Sequence, residues 1–342
     1  MSVRVGVNGL DHNHVFEIVD RIVKAGAVAA CHVPDGGLLE HYEGWQTDSQ
    51  AITFDEMLAD DTIDLVVTAA IPNRRADIAL AAIAAGKHVV TDKPGLTTIG
   101  QLDAIRAAIA GRPGRPWTVL FTERYENRAI AEAVRLARTG AVGRIVHIVG
   151  AGPHTMWAKR RPAWFWDPDA TGGILVDIGS HQVDQFLTIT GLTAPDVSIV
   201  ASMVGNVASS DHPRMQDIGS MTLAASAAVG EPVVGDHRLD YLTARGLGTW
   251  GDCRLTIVGT EGTIEARANV DVAGAEGAEH LIVVDAEGTR RVDISNVVVD
   301  WGEQLVADLA DDGERLMTQQ HAIDVTDVCL RAQAAARTWG AT

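Results

Sequence analysis

The feature that most restricts the fold is the alternation of β-branched runs with helical patterns along the first third of the chain. Residues 3–7 read as a strand that enters a tight turn at Asn8-Gly9. Val15, Ile18, Val19, Ile22 and Val23 then recur on one helical face, and Gly26 stops that helix. Residues 27–31 form a second strand candidate. Thr53 and Glu56 stand at capping-box spacing, as do Thr98 and Gln101. Residues 63–68 are almost continuously apolar, as a strand covered by helices on both faces must be. An Ala-rich helix over 74–85 closes at Gly86, and strands follow at 88–91 and 117–122. This order predicts an α/β fold with a parallel, doubly wound sheet and right-handed crossovers.

From residue 123 the pattern changes. A helix over 127–138 leads to a strand at 144–149 and an aromatic, basic loop over 152–169. Strand-like runs then follow at 196–204, 219–225, 254–258, 263–267, 280–285 and 290–294, with a closing helix at 318–338. Successive strands without helices between them predict an α+β domain with a mostly antiparallel, open sheet. Two domains are therefore expected, 1–122 and 123–342, as suits 342 residues at roughly 100–200 per domain.

Lys and Arg number 28 against 45 Asp and Glu, a net charge of −17. That balance argues against nucleic acid or an anionic membrane as partner, since both need clustered cations. No stretch approaches the ~20 apolar residues of a membrane helix. A strand beginning at residue 3 leaves no room for a signal peptide. Three widely spaced cysteines, Cys31, Cys253 and Cys329, suit a reducing cytoplasm. A soluble cytoplasmic protein is expected.

The segment 6–14, Gly-Val-Asn-Gly-Leu-Asp-His-Asn-His, falls where a dinucleotide-binding fold carries its glycine-rich loop. Gly9 takes the first glycine position, but Asp11 and His14 take the second and third. A carboxylate at Asp11 repels a diphosphate unless it turns away, whereas His12 and His14 can donate to phosphate. A fold that has lost its cofactor is one competing reading. A metal held by Asp11, His12 and His14 is another, disfavoured because no matched set stands nearby. At the end of the second strand His32 occupies the place of the usual ribose-binding acid, with Asp35 three residues on. No Lys or Arg lies between Lys24 and Arg74 to meet a 2′-phosphate, so NAD is preferred to NADP.

Asp92-Lys93-Pro94 ends a strand at the carboxyl edge of the sheet, where an ammonium can lower the pKa of a substrate hydroxyl. Taken alone, a surface lysine on a loop is the simpler reading. Gly172-Gly173 precedes Asp177 and His181, which are four apart and share one helical face. A carboxylate and an imidazole projecting together make an acid/base pair. An ordinary helix with one Asp and one His has the same spacing.

In its motifs the chain resembles the glucose-fructose oxidoreductase / inositol dehydrogenase / MocA family of nicotinamide-dependent oxidoreductases. The matching segments are Ile71-Pro72-Asn73, residues 84–89, Asp92-Lys93-Pro94, Trp164 with Asp167-Pro168, residues 172–181 and residues 257–262. The resemblance implies a Rossmann domain followed by an α/β domain whose open sheet often joins subunits, hence a homodimer or homotetramer. It implies catalytic roles for Lys93, Asp177 and His181. Asp92 departs conservatively from the family's glutamate, and Ala76 stands where many relatives carry histidine. On the cofactor side the expected residues are Asn8, Gly9, Leu10, His12, Asn13, His14, His32, Ala70, Pro72, Asn73, Asp92 and Lys93. The substrate side is expected to take Glu123, Arg124, Trp157, Arg161, Trp164 and Trp166 as well as Asp177 and His181, with His237 and Arg238 near the rim; no metal is expected. The function expected is hydride transfer between NAD and a secondary alcohol of a sugar, cyclitol or sugar derivative. Glycoside cleavage by transient oxidation on retained NAD is an alternative, and so is a non-catalytic sugar sensor.

Overall fold

The computed structural model describes residues 2–112, 114, 116–269 and 278–339. The chain divides into two compact units. The first holds residues 1–120, 169–172 and 300–326; the second holds 121–168, 173–299 and 327–342.

In the first unit, β1 (Arg4–Leu10), β2 (Val28–His32), β3 (Gln50–Ala51), β4 (Leu65–Ala69), β5 (His88–Asp92) and β6 (Trp117–Leu120) form one sheet in the order β3-β2-β1-β4-β5-β6. All five pairings are parallel. Winding reverses between β1 and β4, so the carboxyl ends of those strands flank a topological switch point, where open α/β sheets bind ligands. Every residue of β4 is buried, as its apolar run requires. Both capping boxes form, at Thr53 with Glu56 and at Thr98 with Gln101. β1 runs on through Leu10, which moves the expected turn from Asn8-Gly9 to residues 11–13. Gly9 adopts φ +106°, and a Cβ there would lie 2.5 Å from the Ala70 nitrogen, so only glycine lets β1 pass the turn after β4.

The unit boundary differs from the one expected at residue 122, because the helix Trp301–Asp311 returns to the first unit and packs on the helix His14–Lys24. Their contact leaves no space for a side chain at Gly302, whose Cβ would stand 2.5 Å from the Arg21 carbonyl oxygen. Gln319 closes the exposed edge of β6. Its side-chain oxygen accepts from the Trp117 amide at 3.0 Å and its nitrogen donates to the Trp117 carbonyl at 2.9 Å, as a neighbouring strand would.

The second unit contains β7 (Ile145–Pro153), β8 (Val197–Gly205), β9 (Ile218–Ala225), β10 (Val234–Asp240), β11 (Arg254–Gly259), β12 (Gly262–Arg267), β13 (His280–Asp285), β14 (Gly288–Arg291) and β15 (Arg337–Thr338). Their order is β14-β13-β12-β11-β7-β10-β9-β8-β15. Among the described residues, only β10–β7 and β15–β8 are parallel pairs. β10 is absent from the sequence expectations because its outward residues Asp236 and Arg238 interrupt the apolar signal; Gly235, His237 and Leu239 face inward. The expected strand at 290–294 forms instead at 288–291, and the closing helix ends at Ala334 before β15. The helices Arg128–Arg138 and Gly179–Thr190 pack against β12 and β7 respectively. Among the described residues no helix is long and apolar enough to cross a membrane.

Candidate active site

At the carboxyl end of β5 the Asp92 side chain is fully buried, and three cationic or titratable groups close on it. His14 Nδ1 is 2.8 Å from Oδ1, His12 Nδ1 is 2.9 Å from Oδ2, and the Arg75 guanidinium reaches Oδ2 at 2.9 Å. Arg75 opens the helix Arg75–Ala84 and is itself buried. Its other nitrogens donate to the carbonyls of Ala70 at 2.7 Å, Asp92 at 2.8 Å and Pro94 at 2.9 Å. One side chain thus ties the turn after β4 to the residues on either side of Lys93. Burial alone would raise the Asp92 pKa, but His14, Arg75 and His12 outweigh it and hold the carboxyl well below its usual range.

Burial and the charge of His14 lower His12 to about 4 against the pull of Asp92, so its ring is neutral at pH 7. A neutral imidazole offers one donor and one acceptor nitrogen to a ligand. The ligand-type atoms of His12, His14 and Asp92 lie within 4.8 Å of one another, the grouping a metal needs. Asp11 is not part of it, and Arg75 already supplies positive charge to the same carboxylate. Asp11 instead turns to the backbone, accepting from Gly37 N at 3.4 Å and Ile71 N at 3.3 Å.

The remaining cofactor-side residues divide. Asn8, Gly9 and Leu10 are buried at the end of β1, beside Ala70 and Pro72 of the neighbouring turn. Asn73 donates to the Asp169 carbonyl at 3.2 Å. Asn13 precedes the helix His14–Lys24, whose start has no side-chain cap. An uncapped helix start at the switch point fits the phosphates of a dinucleotide. His32, expected in place of the ribose-binding acid, is enclosed. Its ring is buried against Tyr42, with Nδ1 3.0 Å from the Ser49 hydroxyl and Nε2 3.3 Å from Glu43, so both nitrogens are spent. Asp35 is exposed.

In the second unit Gly173, at φ +85°, begins the short helix Ile174–Asp177, which continues almost without a break into Gly179–Thr190. Gln216 accepts from Ile174 N at 3.0 Å and Gln333 from Leu175 N at 3.2 Å, capping the start from two distant segments. This helix sets Asp177 and His181 one turn apart. Tyr241, the residue after β10, donates its hydroxyl to Asp177 Oδ2 at 2.7 Å. Burial and then the Asp177 charge push the Tyr241 phenol well above its ordinary range, so it remains a donor. Against the ring of Tyr241 stand Phe165, at 5.2 Å between centroids, and the guanidinium carbon of Arg161, at 5.6 Å.

Two residues expected at the substrate side are held by protein partners. Glu123 is buried, accepting from the side chains of Gln182 at 3.2 Å, Gln185 at 3.4 Å and Cys253 at 3.3 Å. Arg124 forks onto Asp184 with two contacts of 2.7 Å and also donates to the Tyr125 hydroxyl. His237 is buried as well, packed edge-on to Phe186 rather than at a rim. Trp166 stacks on His212 at 3.9 Å, Trp164 is half-buried, and Trp157 is exposed in a left-handed conformation. Arg75 and Tyr241 escaped sequence reasoning. The one signal for Arg75 was a cation at the head of an otherwise apolar helix.

The switch-point crevice, the polar nest at its edge and the second, largely antiparallel unit define a dinucleotide-binding α/β protein. Two family models match accordingly: an oxidoreductase family with an NAD-binding Rossmann fold over residues 6–118, and the GFO/IDH/MocA C-terminal domain over residues 130–265. A solved structure of a proposed oxidoreductase from Erwinia carotovora atroseptica is 34% identical, covers 98% of this chain and 99% of that chain, and superposes with a TM-score of 0.91. The chain belongs to the Gfo/Idh/MocA family of oxidoreductases.

Levoglucosan dehydrogenase of Pseudarthrobacter phenanthrenivorans is 29% identical over 251 residues, 64% of this chain and 60% of that protein. A levoglucosan dehydrogenase structure in complex with NADH and levoglucosan is 18% identical, with a TM-score of 0.78 over 98% of this chain and 97% of that one, a likeness of fold. The chain spans 60% or less of the length of the curated relatives it matches.

Proposed function

We propose that this chain is an NAD(P)-dependent oxidoreductase that oxidises or reduces a secondary alcohol carbon of a sugar, cyclitol or sugar derivative, with NAD preferred. The observation that carries the reading is the helix bearing Asp177 and His181, with the carboxylate fixed by an un-ionised Tyr241 at 2.7 Å. A bound nicotinamide supplies the hydride acceptor or donor. His181 takes the hydroxyl proton, and Asp177, oriented by Tyr241, holds His181 or a neighbouring substrate hydroxyl. Lys93 stabilises the developing alkoxide by charge. General-base assistance contributes ~10²–10⁴-fold, and positioning and charge stabilisation supply the rest.

On the cofactor side, the uncapped start of the helix His14–Lys24 meets phosphate. The exposed Asp35, not the enclosed His32, is the carboxylate available to a ribose hydroxyl. The open sheet leaves Val149, Val200 and Val284 exposed, which supports self-association through that surface into a dimer or tetramer. The test is stoichiometry in a panel of polyols with NAD or NADP. One reduced nicotinamide per oxidised product supports the dehydrogenase. Product without net reduced nicotinamide supports the glycoside-cleaving alternative, and ligand binding without any turnover supports a sensor.

A further inference from the structure

The loop after β7 concentrates positive charge. Lys159, Arg160 and Arg161 are consecutive in a protein of net charge −17. Three enclosed arginines elsewhere have carboxylate partners: Arg75 has Asp92, Arg124 has Asp184, and Arg267 has Asp252. Arg161 has none among the described residues. Its Nε donates to the Met156 carbonyl at 2.8 Å and its Nη2 to the Thr155 carbonyl at 3.3 Å. Its guanidinium carbon lies 4.1 Å from the centre of the Phe165 ring. These contacts hold the guanidinium still without neutralising it, and they leave Nη1 and a second Nη2 proton as an end-on fork.

The loop's backbone is arranged for that grip. Trp157 sits at φ +45°, ψ +44°, a conformation that an aromatic side chain rarely adopts. The reversal there lets Arg161 fold back on the carbonyls of residues 155 and 156. Such local outliers persist where the surroundings impose them and gather at ligand sites. Arg161 is one side chain from the acid/base pair, since the Tyr241 ring beside it carries the hydroxyl bonded to Asp177.

Resting on the function proposed above, we propose that the substrate is a polyol bearing an anionic group, the carboxylate of a sugar acid or the phosphate of a sugar phosphate, and that Arg161 binds that group. A planar fork matches either anion with two parallel hydrogen bonds.

The experiment measures dissociation constants without turnover, so that a protein inert as an enzyme still answers the question. The probes are D-gluconate, D-glucuronate and glucose-6-phosphate against neutral D-glucose, each with NADH present, for the parent, Arg161→Gln and Arg161→Lys. At least one anionic probe is expected to bind the parent about tenfold or more tightly than glucose. Arg161→Gln is expected to remove that preference while NADH binding is unchanged, and Arg161→Lys to restore part of it. The carboxylate and phosphate probes separate the two sources of charge. If Arg161→Gln does not fold, the salt dependence of the parent decides: a preference that weakens with added salt supports the proposal, and a salt-independent one overturns it. The proposal is also overturned if no anionic probe binds, if glucose binds as tightly, or if the preference survives in Arg161→Gln.

Discussion

Arg75 and Asp92 form a 2.9 Å ion pair in which both side chains are shut off from solvent, and the same guanidinium donates to the carbonyls of Ala70, Asp92 and Pro94. Removing the cation strands a buried carboxylate beside two histidines. Arg75→Met is therefore expected to destabilise the fold by ~3–5 kcal/mol, the usual consequence of breaking one half of a buried pair. Denaturant titration measures it. A loss below about 1 kcal/mol would mean that the histidines alone compensate Asp92.

His237 is buried between Gly150 and Gly235 with neither ring nitrogen hydrogen-bonded, and burial lowers its pKa from 6.5 to about 4. The unfolded chain takes up this proton first as pH falls, so the site's contribution to stability is full above pH 6.5 and is lost on descending toward pH 4. The slope is ~1.4 kcal/mol per pH unit inside that window. His237→Phe is expected to flatten this part of the stability–pH curve, as measured by urea unfolding across the window. An unchanged slope would assign the titration elsewhere.

Tyr241→Phe removes a hydroxyl that donates to Asp177 at 2.7 Å. The expected result is a fall in kcat on the order of tenfold, corresponding to ~1.4 kcal/mol of lost transition-state stabilisation. NADH affinity should stay at the parent value. Steady-state kinetics with a fluorescence titration of NADH distinguishes this from general damage, which would lower both.

Asp11 has turned its carboxylate onto the amides of Gly37 and Ile71. Asp11→Gly should accordingly cost about 0.5–1.5 kcal/mol of stability and leave NAD affinity equal or improved. Calorimetric titration with NAD checks it. A marked loss of affinity would give this carboxylate a positive part in binding.

The sequence made legible whatever is encoded locally. The capping residues Thr53 and Thr98 act within one helical turn, and β4 announces itself because a strand covered on both faces must be apolar throughout. β10 was hidden because charged Asp236 and Arg238 alternate with a glycine and a histidine. At the site, Asp177 and His181 were readable because one helix sets their spacing. Tyr241 was not, being 64 residues from Asp177 and brought there by the end of a strand. The same limit applies to Asp92, whose nearest partners include His14, 78 residues away. It applies too to Glu123 and His32, whose polar atoms meet tertiary partners that residue type alone does not reveal.

Lys93 and His181 are proposed to serve one hydride-transfer step. The most direct measurement is the turnover of Lys93→Ala, His181→Ala and the double variant on the same polyol with NAD. The expected result is a steep loss in each single variant with NAD affinity little affected, and a double variant no slower than the worse single one, as for residues that act as a unit. Near-parent turnover in either single variant would contradict the account, as would losses that multiply in the double variant.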